Sequence, residues 1–149
     1  MDPLNNPFYT GLFRHTMDDK NRLTIPSAWR TAPAEGGQFL VVPLEGCLSV
    51  LPPEEASKLR DKVSAKNLSD SEAQEAIADF FSKTLAFSFD KSGRVMLTPE
   101  LCAHAGIVKD VVLSGSGNKF NLYGPEEWTR VQAANSAQKA GDRLRRIGI

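Results

Sequence analysis

Apolar and polar positions change rhythm repeatedly along this chain, and each change marks an element. Residues 8–18 mix Phe8, Tyr9, Leu12, Phe13 and Met17 with polar neighbours and predict a strand. A turn follows at residues 19–21, where Asn21 tolerates a left-handed backbone. Leu23 and Ile25 then alternate with Arg22 and Thr24, the period of a half-buried strand. Pro26 ends that strand and starts a short helical turn through Trp29. Residues 32–37 read as a loop, and residues 39–42 and 47–51 as two strands joined around Glu45 and Gly46. Pro52, Pro53, Glu54 and Glu55 open a helix running to about Ala65, with proline and acids where a helix start favours them. Residues 69–72 carry a cap signal for a second helix. Its Ala73, Ala76, Ile77, Phe80 and Phe81 recur at helical spacing and are expected to face the core.

The pattern then starts again. Phe87 and Phe89 alternate with Ala86 and Ser88, Ser92 and Gly93 make a turn, and Val95 to Leu97 form the next strand. Thr98 and Pro99 open a short helix ending near Gly106. Residues 110–113 and 119–123 are strands about a glycine-rich turn, and Pro125-Glu126-Glu127 opens a last helix to about Lys139. Asp18-Asp19-Lys20-Asn21-Arg22 and Asp90-Lys91-Ser92-Gly93-Arg94 are the clearest matched stretches. The two helix starts at Pro52-Pro53-Glu54-Glu55 and Gly124-Pro125-Glu126-Glu127 match as well. One unit of about 70 residues is therefore used twice. The boundaries expected are 8–68 for the first repeat and 69–131 for the second, with helix 69–84 leading in. Residues 132–149 are expected to form a flexible basic tail.

Composition adds little until it is divided. The 149 residues carry 18 basic and 18 acidic side chains, so bulk charge does not argue for nucleic acid. Residues 8–31 hold four bases against two acids, residues 54–79 four against seven, and residues 138–149 four against one. The first repeat and the tail are basic, and the middle is acidic. Two cysteines, Cys47 and Cys102, lack CxxC spacing, and the only histidines are His15 and His104, so no metal site is expected. Both thiols read as reduced core residues. Residues 114–119 lack the third glycine of a dinucleotide loop and the Gly-Lys-Ser/Thr ending of a triphosphate loop; a hairpin turn is the better reading, and no cofactor is expected. No nucleophile turn or acid/base pair stands out, which argues against an enzyme with a small-molecule substrate. No long apolar run or basic-then-apolar leader is visible, so a cytoplasmic protein without membrane contact is expected.

The chemistry that remains lies in the two turns. Asp18 and Asp90 suit acceptance of backbone amide bonds two or three residues on, while Asn21 and Gly93 permit the turn backbone. Arg22 and Arg94 are placed to pair with these carboxylates and still present donors outward, to phosphate or to guanine. The alternative is that the salt bridges consume both arginines.

Gly11 to Pro26 with Trp29-Arg30, and later Asp90 to Arg94, Ala105-Gly106-Ile107, Val112-Leu113, Gly115, Asn118-Lys119-Phe120 and Trp128, resemble the MraZ family over most of the chain. Asn21 stands in place of the usual glycine, Ala56 in place of a common tryptophan, and a few extra residues precede Gly11. The resemblance implies an α+β fold: a pseudo-symmetric swapped-hairpin β-barrel of the AbrB kind, built from two repeats in one chain with flanking helices. It also implies a ring-shaped homo-oligomer and a bacterial transcriptional regulator. Such a regulator binds tandem direct repeats of double-stranded DNA upstream of the division and cell-wall gene cluster and represses it. The family's DNA-contacting turn carries onto Lys20 and Arg22, with Arg94 as the repeat equivalent. Arg14 is added because it precedes the turn on the adjacent strand. Single-motif swapped-hairpin regulators fit less well, since this chain carries two copies. A structural ring whose Asp/Arg turns join subunits is the competing reading.

Overall fold

The structure is a computed structural model and describes residues 8–30, 37–66 and 69–149. The loop expected at 32–37 lies outside these residues except for Gly37, as do residues 1–7. In chain order the elements are β1 (Leu12–Thr16), β2 (Arg22–Thr24), a 3-10 turn (Ser27–Trp29), β3 (Phe39–Leu44), β4 (Cys47–Leu51), α1 (Pro53–Ser64) and α2 (Ser71–Ser82). These are followed by β5 (Leu85–Phe87), β6 (Arg94–Met96), α3 (Pro99–Ala105), β7 (Asp110–Gly115), β8 (Phe120–Tyr123), α4 (Pro125–Ser136) and α5 (Ala140–Arg146). The fold is mixed α+β. Among the described residues no helix is long and apolar enough to cross a membrane.

Six strands form one antiparallel sheet in the order β1-β7-β8-β4-β3-β5, and β2 and β6 form a separate two-stranded ribbon. The strands do not close into the expected barrel: β1 and β5 are opposite edges of the sheet, and the ribbon strands bond only to each other. The reason is length. Each ribbon strand has three residues, bounded by an Asp turn before it and by Pro26 or the start of α3 after it. The ribbon nevertheless shares the sheet's core, because Leu23, Ile25, Val95 and Leu97 are buried in one cluster with Val41, Val50, Leu113 and Leu122.

Asp18 and Asp90 are 72 residues apart, as are Pro53 and Pro125. On that displacement β1 matches β5, β2 matches β6, β3 matches β7 and β4 matches β8. Exchanging each strand for its counterpart reverses the sheet order without altering it. Each half lends its first strand to the other: β1 pairs with β7, from Leu12 opposite Ser114 to Thr16 opposite Asp110, and β5 pairs with β3.

Local chemistry explains most boundaries. Thr98 caps α3, its hydroxyl accepting from the Leu101 amide at 3.1 Å, and Gly106 closes that helix at φ 66°. Asp70 caps α2 through the Ala73 amide. Pro43 sits inside β3, where it is tolerated because β5 reaches only from Phe39 to Val41 on that flank. Gly115 is needed for close approach, since a Cβ there would lie 2.6 Å from the carbonyl oxygen of Tyr9.

Two further expectations need correction. Phe80 and Phe81 touch edge to face but are only half-buried, and α2 buries no residue; its apolar stripe does not enter the core. Trp29 and Trp128 are both buried near helix starts, though they do not stand at matching positions of the two repeats. Their counterparts at 72 residues are Leu101 and Ala56, and the missing tryptophan leaves α1 with no buried residue while α4 buries Trp128. The C-terminal segment is not structureless: α4 runs to Ser136 and α5 follows.

Candidate nucleic-acid interface

The two turns are built alike, atom for atom. Asp18 Oδ1 accepts from the amides of Lys20 and Arg22, both at 2.9 Å, and Asp18 Oδ2 takes the Arg22 Nε at 2.6 Å. Asp90 Oδ1 accepts from Ser92 and Arg94 amides at 2.8 and 2.9 Å, and its Oδ2 takes Arg94 Nε at 2.9 Å. The amide bonds reach two and four residues on, where two and three were expected. The third turn residue is left-handed in both, Asn21 at φ 58° and Gly93 at φ 73°. Each of these residues then accepts across the ribbon, from Leu97 and Ile25 respectively.

The ribbon register places Arg22 opposite Met96, Leu23 opposite Val95 and Thr24 opposite Arg94. Because strand faces alternate, Leu23 and Val95 point inward, and Arg22, Thr24, Arg94 and Met96 share the outer face. Arg94 also reaches Asp18, its Nη1 3.7 Å from Oδ2. Two guanidinium groups therefore converge on one carboxylate. Arg94 divides itself between two aspartates. Among the described residues, Arg22 commits only its Nε, and its two terminal nitrogens point to no partner.

Of the residues expected to contact DNA, Lys20 is exposed at the first turn, while Arg22 and Arg94 come together on the ribbon. Arg14 does not join them. It lies on edge strand β1 opposite Val112, beside a cleft that includes Asp110 and Pro125. Arg30, close to the first turn in sequence, belongs to the second in space. Its Nη1 approaches the Ser92 carbonyl at 3.4 Å, and its side chain lies over Gly93. A Cβ on Gly93 would sit 1.9 Å from that nitrogen. This accounts for the glycine at the left-handed position of the second turn. At the first turn the residue 72 positions from Arg30 is the shorter Cys102, and Asn21 takes the place of the glycine. No one-dimensional pattern signals a contact between residues 30 and 93.

Gly93→Ala is therefore expected to cost about 1–3 kcal/mol, from the left-handed backbone and displacement of Arg30. Asn21→Gly is expected to stay within about 0.5 kcal/mol of the parent. Urea unfolding of both variants measures the contrast.

Backbone amide bonds from Arg22 hold the Asp18 carboxyl below the usual carboxylate range, with smaller help from the Arg22 side chain and the Lys20 amide. The Arg94 amide does the same for Asp90. The folded pKa is the lower one in each case. Their stabilisation is thus complete above the unfolded value of about 4 and is lost as pH falls through the folded values. Acid unfolding followed by circular dichroism should show this loss below about pH 4, and the paired change Asp18→Asn/Asp90→Asn should flatten it. Elsewhere both thiols are free and buried, and burial raises Cys47 and Cys102.

The fold and its turns define a class: an internally repeated α+β protein with a two-stranded ribbon bearing paired Asp/Arg turns. A family model described as "MraZ protein, putative antitoxin-like" matches residues 8–78 and again 80–147. The chain is 33% identical over 120 residues to a "Transcriptional regulator MraZ" of Thermomicrobium roseum, covering 80% of this chain and 84% of the relative. Relatives of the same name from Clostridium tetani and Heliobacterium modesticaldum are 30% and 32% identical over 142 and 139 residues. The alignments span 95% and 91% of this chain, and 99% and 96% of those relatives. The chain belongs to the MraZ family.

Proposed function

We propose that this protein is a transcriptional regulator that binds double-stranded DNA in a sequence-specific way through the β2–β6 ribbon. The observation that carries the proposal is the convergence of the half-buried Arg22 and Arg94 on the outer face of the ribbon, with the Arg22 fork unspent. A two-stranded ribbon fits the major groove, and arginine suits both guanine edges and phosphate. Lys20 adds a phosphate contact at the turn tip, and Arg14, away from the ribbon, is outside the reading surface. The two arginines also differ in their commitments: Arg94 is shared between two carboxylates and Arg22 is not.

The strand exchange between halves supports a swapped-hairpin architecture of the AbrB kind. The relatives' name supports a regulator, here a repressor of the division and cell-wall genes, acting in the cytoplasm on the nucleoid without catalytic chemistry. A ring of several copies on tandem direct repeats answers the zero net charge, because linked weak contacts add through effective concentration. DNA carrying several in-phase repeats is expected to bind roughly 100-fold or more tightly than DNA with one. Affinity should also fall steeply with salt. Equal affinity for one and several repeats would remove the multivalent reading. The competing structural ring draws on the ion pairs already made by both arginines and is separated by the Arg22 substitution below.

A further inference from the structure

The described helices include two that bury nothing and carry opposite charge. α2 holds Glu72, Glu75 and Asp79 and no base; its neighbour Lys83 pairs with Asp79. α5 holds Arg143, Arg145 and Arg146 against the single Asp142. Spacings of three and four residues align the α2 acids along one side of that helix. Beside them, between α2 and α3, lies a groove of about 800 Å³ whose apolar lining includes Phe80 and Leu85 and whose rim includes Asp79 and Glu100. Leu144 of α5 and, just after the helix, Ile147 and Ile149 are exposed, at 44%, 71% and 80%. The polar bonds of its arginines are local: Arg143 to Asn135, Arg146 to Gln138 and Arg145 to Asp142.

Placement makes the match more than a coincidence of charge. On the 72-residue displacement, α5 begins just ahead of the position equivalent to the start of α2, so the acidic helix and the basic helix stand at related places on the two repeats. Complementary surfaces at two different places on one protomer make a head-to-tail contact, and such contacts propagate to rings when the rotation closes.

We infer that α5 of one copy docks into the α2–α3 groove of the next, its arginines against Glu72, Glu75 and Asp79 and its terminal apolar residues against Phe80 and Leu85. The inference rests on the reading that the chain assembles from several copies, and it assigns that assembly to the helices. It leaves the ribbon turns open to DNA and gives the basic C-terminal segment a protein partner.

The test is a charge swap read by light scattering after gel filtration, with circular dichroism to confirm folding. Arg143→Glu/Arg146→Glu alters exposed side chains only and is expected to reduce the particle to single protomers in low salt. Adding Glu72→Arg/Glu75→Arg to the same chain is expected to restore the parent mass. A parent chain that runs as one protomer, a reversed chain that keeps the parent mass, or a swapped chain that stays dispersed each overturns the inference. The DNA reading is scored separately on a single repeat. A dispersed variant that still binds one repeat supports both; loss of DNA binding by every variant, the parent included, defeats the regulator while the contact stands.

Discussion

Arg22→Ala is expected to weaken binding to a single DNA repeat by roughly 5–150-fold, the effect of the ~1–3 kcal/mol that a two-pronged arginine contact supplies. The turn should survive the change. Asp18 keeps its amide bonds from Lys20 and Arg22, which are backbone bonds that alanine preserves. The loss therefore reports the missing fork and not a collapsed loop. Arg94→Ala should cost less, under about tenfold, since part of that side chain is already turned toward Asp18. Lys20→Ala should weaken binding to all sequences alike and lower the salt slope by about 0.9. Fluorescence anisotropy on a single repeat at fixed salt measures all three. Unchanged DNA affinity in Arg22→Ala defeats the ribbon reading. Loss of the assembly in that variant would favour turns that join subunits.

The largest effect on stability is expected at Trp29, where alanine should cost about 3–5 kcal/mol. The ring is 3% exposed and packs on Phe120, Phe13 and Tyr9 with centroids at 4.8, 5.0 and 5.9 Å. Its Nε1 donates to the Thr10 carbonyl at 3.2 Å. One side chain thus ties the arm before β1, the 3-10 turn and β8 together. A cost of this size is a large share of the ~5–15 kcal/mol available to a domain. Trp128→Ala should cost less, because that ring is 9% exposed and has one aromatic neighbour, Tyr123, at 5.0 Å. Urea midpoints at unchanged slope separate the two. Equal costs would mean that the aromatic cluster around Trp29 contributes nothing beyond burial.

Much of this fold is legible in the sequence because its signals are local. The Asp/Arg turns, the proline-acid helix starts, the caps at Asp70 and Thr98 and the period-two strands each depend on residues a few positions apart. What was hidden depends on distant partners. Arg30 sits over Gly93 and β1 lies against β7, and neither leaves a mark on nearby spacing. The apolar stripe of α2 is legible as a stripe, but periodicity does not tell a core face from one left at the surface. Barrel closure was likewise a matter of which edges meet, and hydrophobic rhythm does not record that. At the site, residue types picked out Arg22 and Arg94, whereas their relative commitments came only from the distances to Asp18.

The exchange of β1 and β5 between halves also governs how the protein is made. A ribosome delivers the first repeat complete while the partners of β1 and β2, namely β7 and β6, are still unsynthesised. Until then β3 lacks β5, and the buried faces of Leu23 and Ile25 lack Val95 and Leu97. Such long-range pairing makes folding slow and leaves an exposed strand edge on the nascent chain. The two repeats are thus one cooperative unit, and a chain cut between them should need its other half in trans to become a folded protein.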